Sequence, residues 1–285
     1  MSNLYIITVA TQSKYYFPYL IESVKKNNNK LKVLGFNQEW KGFNWKFNLM
    51  KTELNSYKLD DIVCFVDGYD VMCVRDLNLL INEFIKIKQR ENCKIIAGFD
   101  NVPNKINKII TNLYFTNNIN EIVINSGTYI GYVKDILDIL NTLDQDASAD
   151  DQILLNKYNK NHPGDIFIDI NNELFLTVGN ALSDIKKYTI IENNTVYGLN
   201  KMKPFFIHAA GCGFLDNIII DLGYKYDHSN KINDQVRNDY LIKMFNLIKN
   251  IIIKNLNKYK YKILFIIIFT LGIWEVRSQL KQALL

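Results

Sequence analysis

Cysteine is scarce in this chain, and its few positions form no pattern. Cys64, Cys73, Cys93 and Cys212 are the four among 285 residues. Their spacing fits neither a Cys-x-x-Cys metal knuckle nor a dense disulfide framework, so a reducing, cytoplasm-like compartment is the simpler expectation, with two bridges as the alternative. No secretory leader is read at the start: Met1, Ser2 and Asn3 pass straight into the apolar run Leu4–Val9, without a basic region or a small-residue cleavage site. Internal repeats are missing, and so are low-complexity tracts apart from the Asn27-Asn28-Asn29 turn. A bilayer-length apolar run is missing too. Crossing takes roughly 20 apolar residues, and the most hydrophobic stretch, Ile263–Trp274, is shorter than that.

What is present is material for a core. Hydrophobic residues make up 48% and aromatic residues 13% of the chain, with 17 Tyr and 16 Phe, which excludes a disordered or fibrous protein. The length suits one large domain or two small ones. Short β-branched runs at Leu4–Val9, Leu31–Leu34, Ile62–Val66, Lys94–Ala97, Thr128–Tyr132, Asp165–Ile168 and Phe205–His208 read as strands. Between them, Pro18–Lys25, Asn48–Leu54, Leu77–Lys88, Lys134–Leu143 and Asp150–Tyr158 carry helical spacing. Strand alternating with helix predicts an α/β fold of the Rossmann-like type, a mostly parallel sheet flanked by helices, because parallel neighbours need crossover connections.

In such sheets ligands gather beyond the carboxyl ends of the strands. The strand Ile62–Val66 ends there in Asp67-Gly68-Tyr69-Asp70. Two carboxylates so placed can hold Mg²⁺ or Mn²⁺, and through the metal a diphosphate. They can equally be a turn and a helix cap. Asp150-Asp151-Gln152 opens a predicted helix, where a cap is a sufficient explanation. Asn125-Ser126-Gly127 is either a turn or part of a site. His208 closes an apolar strand before the small-residue loop Ala209–Gly213, and it reads as a core histidine or as a metal ligand beside room for a phosphate.

From Ser229 onward the composition shifts to ten Lys+Arg against three Asp+Glu. A long amphipathic helix is expected over Asn233–Leu256, followed by Lys258, Lys260 and Lys262 and then the apolar run. A helix packed on the body and a short membrane-associated anchor are equally compatible with this tail. The net charge of +5 divides into a body, residues 1–228, at −2 and a tail at +7, so a nucleic-acid partner for the body is not expected.

Taken together, these blocks resemble the glycosyltransferase domain of the procollagen-lysine hydroxylase family, of the GT-A class. The resemblance is carried in order by Thr8-Val9-Ala10-Thr11, Lys32–Gly35 with Glu39-Trp40, Phe65–Val71, Ile124–Gly127 with Ile130-Gly131, Asp150-Asp151-Gln152 and Ile207-His208. It implies that Asp67, Asp70 and His208 bind Mn²⁺, which holds the diphosphate of a UDP-sugar. It further implies that Val9, Ala10 and Thr11 receive the uracil and ribose, that Tyr69 stacks on the base, and that Trp40 and Lys46 lie near the donor. Asn125 and Asp151, with Asp150 beside them, would face the sugar and a hydroxylated protein or glycan acceptor. After the histidine the family typically reads Gly-Asn-Gly-Pro-Thr-Lys, whereas this chain has Ala209-Ala210-Gly211-Cys212-Gly213-Phe214. That departure supports a rival expectation, a non-catalytic GT-A-like scaffold tethered by its tail.

Overall fold

β1 (Leu4–Val9) sends Ile6 and Ile7 to opposite faces, and both are fully buried. A strand can do this only inside a sheet covered on both sides. In the computed structural model, residues 2–143, 149–230 and 232–255 are described. The elements in chain order after β1 are α1 (Phe17–Lys26), β2 (Leu31–Leu34), α2 (Asn44–Leu54), β3 (Ile62–Val66), β4 (Val71–Cys73), α3 (Leu80–Glu91) and β5 (Ile95–Phe99). They continue with α4 (Lys105–Thr116), β6 (Ile124–Tyr132), α5 (Val133–Thr142), α6 (Asp151–Asn161), β7 (Ile166–Asp169) and β8 (Phe175–Thr177). Last come β9 (Thr189–Glu192), β10 (Thr195–Gly198), β11 (Phe206–His208), α7 (Asp216–Asp221) and α8 (Ile232–Asn255).

The main sheet has the order β2-β1-β3-β6-β5-β7, and β6 alone runs against its neighbours. Ile7, Val63, Phe65 and Ile95 point to one face, where Met50, Ile136 and Leu155 of α2, α5 and α6 cover them. Ile6, Cys64, Val66 and Ile96 point to the other, where Leu20 of α1 and Phe84 of α3 cover them. Burial of this kind is worth about 1.5–3 kcal/mol for each large apolar side chain. The expected α/β architecture is the one observed. Strand bounds at β1, β2 and β3 agree with the sequence, because continuous apolar runs leave little choice of register.

Chain order reverses between β1 and β3: β2 lies on one side of β1 and β3 on the other. The carboxyl ends of β1 and β3 therefore flank a topological switch point, where crevices form. A second sheet, β4-β11-β8, places His208 beside Val71 on one side and Thr177 on the other. Its strands β4 and β8 were not expected from the sequence, because runs of three residues carry too little periodicity. The strand expected from Thr128 in fact begins at Ile124. Asn125, Ser126 and Gly127 thus belong to β6, at an irregularity where Tyr129 pairs with Ala97 but Asn125 with Gly98. Such a bulge re-aims side chains while keeping the strand in the sheet.

The chain divides into two compact units, residues 1–236 and 237–285. Within the described residues no helix is long and apolar enough to cross a membrane. The apolar run Ile263–Trp274 and its lysine flank lie outside those residues. Cys64, Cys73 and Cys93 are thiols, and burial pushes the pKa of each upward.

Phe84 joins α3 to the sheet with no exposed surface and packs edge-on against Tyr132, ring centroids 5.5 Å apart. Phe84→Ala is expected to lower the unfolding free energy by about 3–5 kcal/mol. Urea denaturation should show this as a lower midpoint at unchanged slope.

Candidate active site

Asp67 directly follows β3, and its backbone N–H donates to the Gly127 carbonyl at 2.8 Å, which fastens it to the bulge of β6. Asp70 directly precedes β4. His208 ends β11, which pairs with β4, so the second sheet carries the imidazole back to the acidic turn. Ligand atoms of Asp67, Asp70 and His208 all lie within 4.8 Å of one another. His208 is buried, with Nε2 3.3 Å from Asp70 Oδ1, while its Nδ1 has no hydrogen-bond partner. Burial works against the charged imidazolium, yet Asp70, and beyond it Asp67 and Asp100, hold its pKa above the ordinary value.

The space among these groups depends on a missing side chain. A Cβ on Gly127 would come within 2.4 Å of His208 Cε1, 2.5 Å of Asp67 Oδ2 and 3.0 Å of Asn125 Oδ1. Only glycine leaves that gap open. Two carboxylates and an imidazole make an oxygen-rich set suited to Mg²⁺ or Mn²⁺. The residues therefore fit a divalent cation.

Lys46, on α2, is buried and reaches two carboxylates at once: Nζ lies 2.9 Å from Asp67 Oδ1 and 2.7 Å from Asp151 Oδ2. Burial alone would lower its pKa, but Asp151 and Asp67 more than offset this and hold it above the ordinary range. Asp67 thus gives Oδ1 to lysine and keeps Oδ2, the oxygen toward Gly127, for another partner.

α6 begins at this place because Asp150 caps it, accepting the backbone N–H groups of Gln152 and Ile153 at 3.0 and 3.1 Å. Burial raises the Asp150 pKa against those two bonds. Asp150 is thus a cap, and Asp151 beside it faces Lys46. Gln152 donates from Nε2 to Asp100 Oδ2 at 2.9 Å, which ties α6 to the end of β5. Asp100 is a buried carboxyl whose pKa burial pushes up. An acid immediately after a buried strand is the only signal the sequence offers for it. Asn125 is buried, and its Oδ1 accepts the Gly127 N–H at 3.0 Å.

At the switch point Val9 and Ala10 are buried, and the Thr11 N–H donates to the Tyr69 hydroxyl at 2.9 Å. The end of β1 and the acidic turn are therefore joined through Tyr69. Trp40 lies in the loop before α2, 42% exposed and edge-on to Phe43 and Trp45. Beyond His208 the chain turns through left-handed Gly211 and Cys212, with φ of 71° and 74°. The Ala209 N–H donates to the Asp70 carbonyl at 2.9 Å, so this loop remains pinned to the acidic turn.

The fold is α/β, a mostly parallel sheet flanked by helices, with two acids and a histidine gathered near its switch point. The family model described as the PLOD GT domain matches residues 1–217, and the chain belongs to that family of glycosyltransferase-type domains. Among curated relatives, the procollagen-lysine,2-oxoglutarate 5-dioxygenase of Drosophila melanogaster is 25% identical over 237 residues, 74% of this chain and 31% of that protein. The human procollagen-lysine,2-oxoglutarate 5-dioxygenase 2 is 27% identical over 199 residues, 64% of this chain and 26% of that protein. The multifunctional procollagen lysine hydroxylase and glycosyltransferase of Caenorhabditis elegans is 23% identical over 230 residues, 74% and 31% of the two chains. The chain spans about a third or less of the length of these relatives. A solved glycosyltransferase involved in glycosylation of the major capsid of PBCV-1 superposes with a TM-score of 0.46 at 12% identity, covering 82% of this chain and 98% of that one.

Lys46→Met would leave Asp67 and Asp151 without their shared cation, an expected loss of about 3–5 kcal/mol of stability. A raised lysine pKa contributes stability that is fully present below the unfolded value of about 10.4 and is lost only as pH rises through the higher folded value. Urea unfolding should therefore show a deficit that is level between about pH 6 and pH 9.

Proposed function

We propose that the chain is a Mn²⁺-dependent transferase moving a hexose, glucose or galactose, from a UDP-sugar to a hydroxyl group. The acceptor proposed on the strength of family membership is hydroxylysine or galactosyl-hydroxylysine in a collagen-like chain. The observation that carries this reading is the convergence of Asp67, Asp70 and His208 on the gap left by Gly127, at the β1/β3 switch point.

In this reading Asp67, Asp70 and His208 hold the cation, which when bound supplies positive charge against the departing diphosphate. The ends of β1 and β3 receive the nucleotide, with Val9, Ala10 and Thr11 at the uracil and ribose and Tyr69 beside the base. Trp40 and Lys46 border the donor. The acceptor oxygen bonds to the anomeric carbon, the bond from that carbon to the diphosphate breaks, and its electron pair leaves with UDP. Asp151 orients the hydroxyl and takes its proton, with Asn125 and the capped α6 terminus at Asp150 fixing the geometry. The transferase domain so proposed is residues 1–228, followed by the tail.

The rival, a binding module without turnover, is favoured by Ala209–Phe214, which lacks the lysine and asparagine typical of the family at this point. A panel of UDP-hexoses with and without Mn²⁺, read as released UDP and as sugar on a hydroxylysine peptide, separates the two. Asp67→Ala and His208→Ala are each expected to reduce turnover by about 100-fold or more. Gly127→Ala should weaken Mn²⁺ binding roughly 10- to 100-fold, measured by electron paramagnetic resonance. Undiminished activity in either alanine variant would sink the metal assignment, and UDP binding without any transferred sugar would favour the rival.

A further inference from the structure

α4 is an amphipathic helix mounted with its apolar side outward. Ile106, Ile109, Ile110, Leu113 and Tyr114 recur at helical spacing and are each 44–60% exposed. A stripe of that period ordinarily faces a core. Here the buried face carries Asn112, whose Nδ2 donates to the carbonyls of Ile119 and Glu121 at 2.8 Å each. Asn104 caps the helix by accepting the N–H groups of Ile106 and Asn107 at 2.9 and 3.1 Å. Rotating the stripe inward would break the Asn112 bonds and bury an unsatisfied amide, at a cost of about 1–3 kcal/mol. The outward stripe is therefore held in place.

Its position singles out one occupant. α4 leaves the sheet after Asp100, at the end of β5, and returns through Asn125, at the start of β6. It packs against α6, whose first turn carries Asp150 and Asp151. Across the ligand edge of the sheet the order is thus β1, then β3 with Asp67, then β6 with Asn125, then β5 with α4. In the function proposed above, on which this inference rests, nucleotide, sugar and acceptor hydroxyl take up the first three places. A polymeric acceptor continues onto the fourth. α4 contains no acid, and Lys105 and Lys108 are exposed beside the stripe.

We infer that the outer face of α4 is a docking ledge for a polypeptide acceptor with apolar side chains, and neutral or acidic rather than basic residues, flanking the modified hydroxyl.

The test is the double variant Ile109→Ser/Leu113→Ser, both positions exposed and outside the catalytic group. Two acceptors are compared: free hydroxylysine, and a collagen-like peptide in which leucine and hydroxylysine fill the positions between glycines at every third residue. The variant should raise KM for the peptide roughly 10-fold at unchanged kcat, and leave turnover with free hydroxylysine and hydrolysis of UDP-hexose unaltered. An equal loss with both acceptors, or no loss with either, overturns the inference. A photoreactive benzoylphenylalanine at position 110 of the full chain reports the occupant independently. A crosslink to the peptide supports the ledge even if the wild-type protein proves inert toward UDP-hexoses, which would defeat the catalytic reading alone. Crosslinks confined to residues 256–285 of the same chain, or to a second copy, overturn it.

Discussion

One buried ammonium group holds the two halves of the site together. Lys46 reaches from α2 to a carboxylate after β3 and to another at the start of α6. Removing such charges from water costs several kcal/mol per ion, and the cost is recovered only when the geometry of the pairs is good. Three elements must therefore keep their mutual distances: α2, the β3 end and the α6 terminus. The apolar layer of Met50, Phe65, Ile136 and Leu155 beneath them keeps those distances. Because Lys46 occupies one oxygen of Asp67, the other is directed to the side where Asp70 and His208 converge. Charge pairing on one face of the aspartate thus leaves its opposite face toward Asp70 and His208.

The second sheet contributes the histidine of the cluster. Pairing β11 with β4 brings a residue 138 positions after Asp70 to within 3.3 Å of it. One face of this sheet packs Val71, Phe175 and Phe206 against the α3 side of the core, and the other packs Met72, Leu176 and Ile207 toward α7. His208 is therefore fixed by a strand buried on both faces, which gives its imidazole a more rigid seat than a loop does. The loop behind it bends through two left-handed residues, so its altered composition changes which side chains are available without detaching it from Asp70.

Much of the architecture was legible because it rests on local periodicity. Ile62–Val66 reads as a strand by its composition, and Asp67 and Asp70 are conspicuous where that strand stops. Elements whose form depends on distant partners were harder to see. The helical spacing of α4 is present in the sequence, but that its apolar stripe faces outward depends on how it packs. β4 and β8 have three residues each and exist only as partners of β11. Asp100 looked like any acid after a strand, until Gln152 and α6 closed over it. Asn125-Ser126-Gly127 is compatible in sequence with a turn or with part of a site, because a bulge and a turn share small, polar residues; the register slip that marks a bulge lies in the pairing with β5.

By itself the sequence determined the alternation of strand and helix, the acidic stop after β3, the α6 cap, and membership in a family of glycosyltransferase-type domains. Each of these is written in neighbouring residues or in an ordered set of short motifs, so no knowledge of distant contacts is needed. Tertiary structure alone decided that Lys46 bridges Asp67 and Asp151, that Gly127 leaves the gap between Asp67 and His208, and that α4 turns its apolar face outward. Those outcomes turn on a few ångströms between residues far apart in the chain, and such distances come only from the packing of the whole sheet.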